Sequence, residues 1–358
     1  MSSQFDVWLS NDGPVALSIL EPLEPALGER SVFFPPTFAA PEGSDEKPDY
    51  VIDESSAGRV CLVDTVGSQA NRLEPMFKRK DLAGLVPRVT IKISDSRSVD
   101  LLDAGHRAAD AVVRFSDLGK TLEQAFLDYR EKGSAEKLAR IAPTSLVFGA
   151  WDSRAEATGA KVPRLVESVV RAYEVERLTR GAQYFAALEK EELAQTDLDS
   201  LGQKALSAEG LSDSPAGRGP GGVIANRIQR EALLNLVALR ALGVDGDAGE
   251  ETKKLQRYIL GLALIAFLAP AELYLRQGCL LVGSSPKPAS KQIVWRNGRR
   301  EPLLITENEA LVFASESAKA FGVGTDLQAV FDPRLVKAKA EAKSKKNKRE
   351  AKAAAPQG

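Results

Sequence analysis

The sequence predicts an α+β or α/β protein. Segments of strand-like alternation interleave with segments of helical period, and a long stretch of helical character follows the middle strands. With 358 residues, 44% of them hydrophobic and 27% charged, the chain has material for one elaborated core or two ordinary ones. That composition excludes collagen-like, wholly disordered and disulfide-scaffold proteins. No period of roughly 20–50 residues recurs, which argues against solenoids and propellers. The chain divides into one body, residues 1–336, and a basic tail, residues 337–358.

The elements follow in order. Val15–Leu20 reads as a strand ended by the prolines at 22 and 25, and a Pro-, Gly- and charge-rich loop runs from Ala26 to Asp49. Phe33, Phe34 and Phe38 in that loop suit pinning onto the core better than stacking on a partner. Arg59–Asp64 is a second strand, and Thr65–Phe77 opens a helix whose length Pro75 limits. Leu118–Ile141 reads as two helical pieces split at Gly133-Ser134, with Thr121 and Gln124 at capping-box spacing. Pro143–Gly149 reads as a strand, and Leu165–Leu178, which fits both periods, is also read as one.

Val223–Leu242 and Glu251–Ala269 give the clearest helical patterns, so residues 183–270 read as a helical insertion. The apolar run Ile259–Ala271 is broken by Gly261 and Pro270 and falls short of the ~20 residues that span a bilayer, so it reads as a core helix. Leu273–Val282 and Gln292–Trp295 are strands, the second followed by the hairpin signal Asn297-Gly298, and Thr306–Phe321 is helical.

The net charge of −1 conceals an asymmetry. Eight Lys/Arg against Glu341 and Glu350 give the tail +6 and leave the body at −7. The tail lacks an apolar stripe and is expected to act as a loose electrostatic tether. The N-terminus shows no basic-then-apolar leader, and Cys61 and Cys279 sit in apolar runs, so a cytoplasmic, reducing setting is expected. A single histidine, His106, leaves little room for zinc sites or histidine-based triads, so no metal, no cofactor and no enzymatic activity are expected.

Four regions could hold phosphates. Ser68, Gln69, Asn71 and Arg72 lie in the first turns of a helix, where free N–H groups and an arginine suit an anion, although a capped surface helix explains them as well. Lys78 and Arg79 add positive charge nearby. His106 and Arg107 share helical spacing with Asp110 and Arg114; the imidazole could cut RNA, stack on a base or serve as a structural hydrogen-bonding group. Trp151, Arg154, Lys161 and Arg164 interleave cations with an aromatic, which suits a groove that tracks a nucleic-acid backbone. An arginine–carboxylate network around a buried tryptophan fits that segment equally well. Gly221 and Gly222 end a glycine-rich segment before a predicted helix bearing Arg227; without the Gly-Lys-Ser/Thr ending of a nucleotide loop it reads as a hinge or another phosphate contact.

Taken together, Asp64–Pro75, His106–Ala111, Phe148–Arg154 with Lys161–Arg164, and Arg276–Leu281 resemble a CRISPR-associated family, the RAMP backbone subunit of the type I-U (also type I-G) effector complex. The matches run in order from about Val15 to Val330. The resemblance implies an RRM-like (ferredoxin-like) α+β core with large helical and loop insertions, several copies of which stack along a CRISPR guide RNA and present it to target DNA beside other effector subunits. In the wider family one loop serves as a thumb that splays out a guide base. The aromatic pattern of ordinary RRM proteins is absent, so stacking on the sheet face is not expected. A metal-independent guide-processing ribonuclease using His106, and a scaffold that binds only proteins, are the alternatives.

Overall fold

The computed structural model describes residues 3–56, 58–151, 159–196, 198, 200, 202–247, 249–286 and 288–342. The chain lays down β1 (Ala16–Pro25), β2 (Ile52–Ser55), β3 (Gly58–Asp64), α1 (Val66–Leu73), α2 (Gly119–Lys132), α3 (Thr144–Phe148), β4 (Val166–Tyr173), β5 (Glu176–Tyr184), β6 (Ser214–Ile224) and β7 (Arg227–Asn235). Then come α4 (Glu250–Leu268), β8 (Cys279–Gly283), β9 (Ser290–Val294), β10 (Arg300–Pro302) and α5 (Glu307–Phe321).

The main sheet is antiparallel along the path β1, β7, β4, β3, β2, and β8 and β9 both flank the other side of β1. Counting β1, β4, β7 and the β8/β9 edge as first to fourth, the spatial order is fourth, first, third, second. Helices occupy both crossovers, which is the ferredoxin-like arrangement expected for an RRM-like α+β core. The β2/β3 hairpin widens it, and β5 with β6 forms a separate two-stranded extension of the β4/β7 pair.

One face of the sheet is buried. Leu17, Ile19, Val166 and Leu234 point into the same core as α4, every residue of which from Tyr258 to Leu268 is buried. A helix apolar on all sides belongs inside a protein. At Gly261 a Cβ would stand 2.7 Å from Ala314 Cα, so the glycine lets α4 lie directly on α5. The opposite face leaves Leu20 and Leu233 exposed. A second, smaller core under the 26–50 loop buries Phe33, Val170, Val223 and the two free cysteines, Cys61 and Cys279. Phe33 is thus pinned, as its setting suggests.

Several elements differ from the sequence reading. Val223–Leu242 is not a helix: it comprises the end of β6, the strand β7 and the short helix Leu236–Arg240. Ile228, Arg230, Ala232 and Leu234 are buried at period two, while Leu233 and Leu236 add apolar residues that imitate a helical stripe. Residues 183–270 are therefore not one helical insertion but hold β6, β7, α4 and three short helices. Within Pro143–Gly149, Thr144–Phe148 forms the helix α3 rather than a strand; all five of its residues are buried, so no alternation exists to read. Thr121 and Gln124 do not cap α2, which starts at Gly119, whereas Thr306 and Glu309 form a reciprocal capping box at α5. Residues 333–342 are helical, so the boundary expected at residue 336 falls inside a helix; residues 343–358 of the tail lie outside the described residues. No helix among the described residues is long and apolar enough to cross a membrane.

Candidate nucleic-acid interface

Where β3 ends, Asp64 is 1% exposed and collects three donors. Gln69 Nε2 donates to Asp64 Oδ2 at 2.7 Å, Arg72 Nε to the same oxygen at 3.2 Å, and Arg276 Nη2 to Asp64 Oδ1 at 3.2 Å. The remaining arms of both arginines tie strands together, Arg72 Nη2 to Leu275 O at 2.6 Å and Arg276 Nη1 to Val63 O at 3.0 Å. Gln69 Oε1 accepts from Ser168 Oγ at 2.9 Å. A buried carboxylate needs such partners. At the helix start Ser68 N donates to Thr65 Oγ1 at 3.0 Å, so the N-cap occupies one N–H expected to be open to a ligand. Gln69, expected on an RNA surface, is an interior residue, and the Arg72 fork is engaged by protein oxygens.

Arg107 is interior as well. Its Nε stands 2.6 Å from Glu74 Oε2, Nη1 donates to Gly149 O at 3.3 Å, Nη2 donates to Asn71 Oδ1 at 3.1 Å, and the guanidinium lies 5.4 Å from the Phe148 ring centroid. The residue holds φ +54°, a left-handed conformation that costs a side chain free energy. Burial pushes the Glu74 carboxyl up to about 7, against the opposing pull of the Arg107 charge, and burial lowers the Arg107 pKa. The helical spacing that groups Arg107 with His106 therefore separates them: one side chain enters the core, the other is exposed.

Beside this pair a two-residue hairpin, Ala150–Trp151 against Lys161–Val162, is rooted by buried Ala150 and Val162. Trp151 is 61% exposed, with Lys161 Nζ 5.8 Å from its ring centroid. Arg164 is exposed, and the 107–109 turn that follows exposed His106 packs on this hairpin. The exposed indole and Lys161 thus stand on a hairpin packed against the 107–109 turn, whose Arg107 is fixed by Glu74 and donates to Asn71, itself exposed. Arg154 lies outside the described residues. Trp151 is exposed, so the expectation of a buried tryptophan network is not met.

The remaining predicted contacts divide. Lys78 pairs with Asp103, and Arg79 pairs with Asp81 through two hydrogen bonds of 3.1 and 2.7 Å. Gly221 and Gly222 lie in strand β6 rather than in a hinge. Gly222 has φ +98°, its N–H donates to Tyr50 Oη at 2.8 Å, and a Cβ there would stand 2.5 Å from Val32 Cγ1. Close packing explains the glycine. Arg227 begins a strand, its guanidinium 3.8 Å from the Tyr173 ring centroid. Sequence reasoning missed the β5/β6 hairpin, which carries exposed Arg180 and Arg218, with Tyr184 and Phe185 50% and 68% exposed beyond them. The alternation in Glu176–Tyr184 was its only local signal.

Residues 17–177 match the family model described as CRISPR-associated protein GSU0053. That stretch is just under half of the chain and contains the Ser68–Arg72, His106–Arg107 and Trp151–Arg164 groups. No curated protein matches the chain. Among solved structures, a chain of a CRISPR RNA-guided surveillance complex, pre-nicking, is 14% identical over 78% of this chain and 77% of that chain, with a TM-score of 0.35. A superposition that loose carries nothing about function.

Proposed function

We propose that the chain, whose residues 17–177 match the model of the CRISPR-associated GSU0053 family, is a guide-RNA-binding backbone subunit of a type I effector complex. In this reading it is a binding protein and not an enzyme. Copies stack along the guide, each holding the RNA backbone, while base pairing supplies sequence recognition. The observation that carries the proposal is the surface at Trp151: an exposed indole with Lys161 beside it, on a hairpin packed against the 107–109 turn and within the family-matched stretch. Stacking on an indole tolerates any base, and nearby cations follow phosphates. The β5/β6 hairpin is the candidate for the family's thumb, because it leaves the core as a two-stranded arm bearing Arg180 and Arg218.

Co-expression with a CRISPR RNA tests the proposal. The purified protein should carry RNA, seen as a raised 260/280 absorbance ratio, and form particles whose length grows with the RNA. Nucleic-acid-free monomers, or cleavage of the RNA lost in His106→Ala, would overturn it.

A further inference from the structure

Each side-chain nitrogen of Arg107 serves a different element. Nε stands 2.6 Å from Glu74 Oε2, Nη1 donates to Gly149 O at 3.3 Å, and Nη2 donates to Asn71 Oδ1 at 3.1 Å. Asn71 lies in α1, Glu74 is the residue that closes α1, and Gly149 ends α3 where the Trp151 hairpin begins. A guanidinium presents its nitrogens along fixed, separate directions, whereas an ammonium is a point.

Two of these contacts set groups that reach solvent. Gly149, at φ +78°, turns the chain from α3 into Ala150–Trp151, and a Cβ there would stand 2.7 Å from Arg164 Cγ and 3.1 Å from Val162 O. The carbonyl that Arg107 holds thus belongs to the residue against which the Arg164 stem and the second hairpin strand pack. Because a guanidinium donates and cannot accept, the Asn71 oxygen must face it, which leaves Nδ2, a donor, as the end turned away. The turn that carries Arg107 is itself pinned to α3, where Ser145 Oγ accepts from Ala108 N at 3.2 Å. Stability alone does not account for the arrangement. A buried ion pair can be exchanged for apolar side chains with little or no loss, and Arg107 also holds φ +54°, a strained left-handed backbone. Both features fit a residue kept for where it places its neighbours.

We propose that Arg107 is a positioning residue of the Trp151 surface: only 4% exposed, it fixes the root of the hairpin and the amide of Asn71 while touching no ligand itself. The inference rests on the reading of that surface as the RNA contact and adds the device that holds it in shape. Glu74 gives the device a pH dependence. Burial raises the Glu74 carboxyl to about 7, the Arg107 charge and the Thr144 hydroxyl favour its ionised form, and Asp103 opposes it. On Arg107 the further charge is Arg164, which, like burial, acts against the cation. An ionised Glu74 makes the contact to Nε charge-assisted on both sides and so tightens the grip. If RNA prefers the tightened form, the bound state holds this proton less firmly, and affinity gains as pH rises through about 7.

The test uses the full chain and fluorescein-labelled oligouridylate, with anisotropy read well below the melting transition of each variant. Arg107→Lys keeps a charge against Glu74 but cannot reach Gly149 and Asn71 together, so it should weaken binding about tenfold, the scale of one lost stacking contact. Glu74→Gln/Arg107→Met leaves no unpaired charge in the core and should show the same loss, which guards against a lysine variant that fails to fold. In the surface variant Asn71→Ala/Trp151→Ala, adding Arg107→Lys should cost no more than about twofold, because a residue that acts through those groups has nothing left to position. The pH series is run in a His106→Gln background, which removes the chain's one imidazole. Affinity should rise about fivefold between about pH 6 and about pH 8, and Glu74→Gln should flatten the rise.

Wild-type affinity in both Arg107 variants, beside weak binding by Asn71→Ala/Trp151→Ala, overturns the inference and leaves the surface standing. A loss that multiplies in full onto the surface variant, or a pH profile that Glu74→Gln does not alter, overturns it as well. Wild-type affinity in Asn71→Ala/Trp151→Ala overturns the reading of the surface, and the inference with it.

Discussion

Two basic clusters flank α1, and their charges face different things. Around Asp64, Arg72 and Arg276 converge on a buried carboxylate, and their remaining arms hold backbone carbonyls. Around Trp151, Lys161 and Arg164 face solvent, and the aromatic beside them is exposed. In the sequence both are arginines and lysines near small polar residues. What separates a structural cation from one open to a ligand is whether the fold gives it a carboxylate, and that carboxylate belongs to the interior.

The sharpest way to break this contrast is at the deepest cation. Arg107→Ala leaves Glu74 buried without its partner, so unfolding free energy should fall by about 3–5 kcal/mol, whereas Lys161→Ala should change it by less than about 0.5 kcal/mol. Denaturant titration of both variants checks this; equal losses would erase the distinction. Next in size is the converse experiment. Trp151→Ala should cost about 1–3 kcal/mol of single-stranded RNA affinity while leaving the melting temperature in place. A melting temperature that falls in step with affinity would return Trp151 to the core.

The Glu74 pair also predicts a pH effect. Its carboxyl is raised to about 7 in the folded protein, chiefly by burial, against an unfolded value near 4.5. The folded state therefore holds the extra proton, and this group's contribution to stability declines as pH rises from about 4.5 to about 7, with a slope of at most about 1.4 kcal/mol per pH unit. Melts across that window should show the decline in wild type and a flatter profile in Glu74→Gln. The smallest effect belongs to His106, an exposed residue in this reading without a catalytic task. His106→Ala should leave stability unchanged and RNA affinity nearly so, and incubation with repeat RNA in the absence of metal should show no difference from wild type.

Much of the frame was legible because local pattern decided it. The strands from Val15, Arg59, Leu165 and Gln292 and the helices ending at Leu268 and Phe321 all carry their period or punctuation within a few residues. Val223–Leu242 failed because a central strand flanked by extra leucines shows apolar residues at both periods. The interface was legible only in part. Trp151, Lys161 and Arg164 sit close in sequence and act at the surface. The partners that remove Gln69, Arg72 and Arg107 from it include Leu275, Ser168 and Gly149, and only the sheet's closure brings those residues near.

The root of the β5/β6 hairpin has a mechanical consequence. Gly222 N–H is held by the Tyr50 hydroxyl, Phe33 and Val223 exchange two backbone hydrogen bonds of 3.1 and 2.8 Å, and Arg177 grips Asp49 through two more. With its base clamped at three places to the 26–50 loop, the arm resembles a lever on a fulcrum more than a free flap. A load applied at its far end would be passed as torque into that loop and, through Tyr50 and Phe33, into the small core that holds β3.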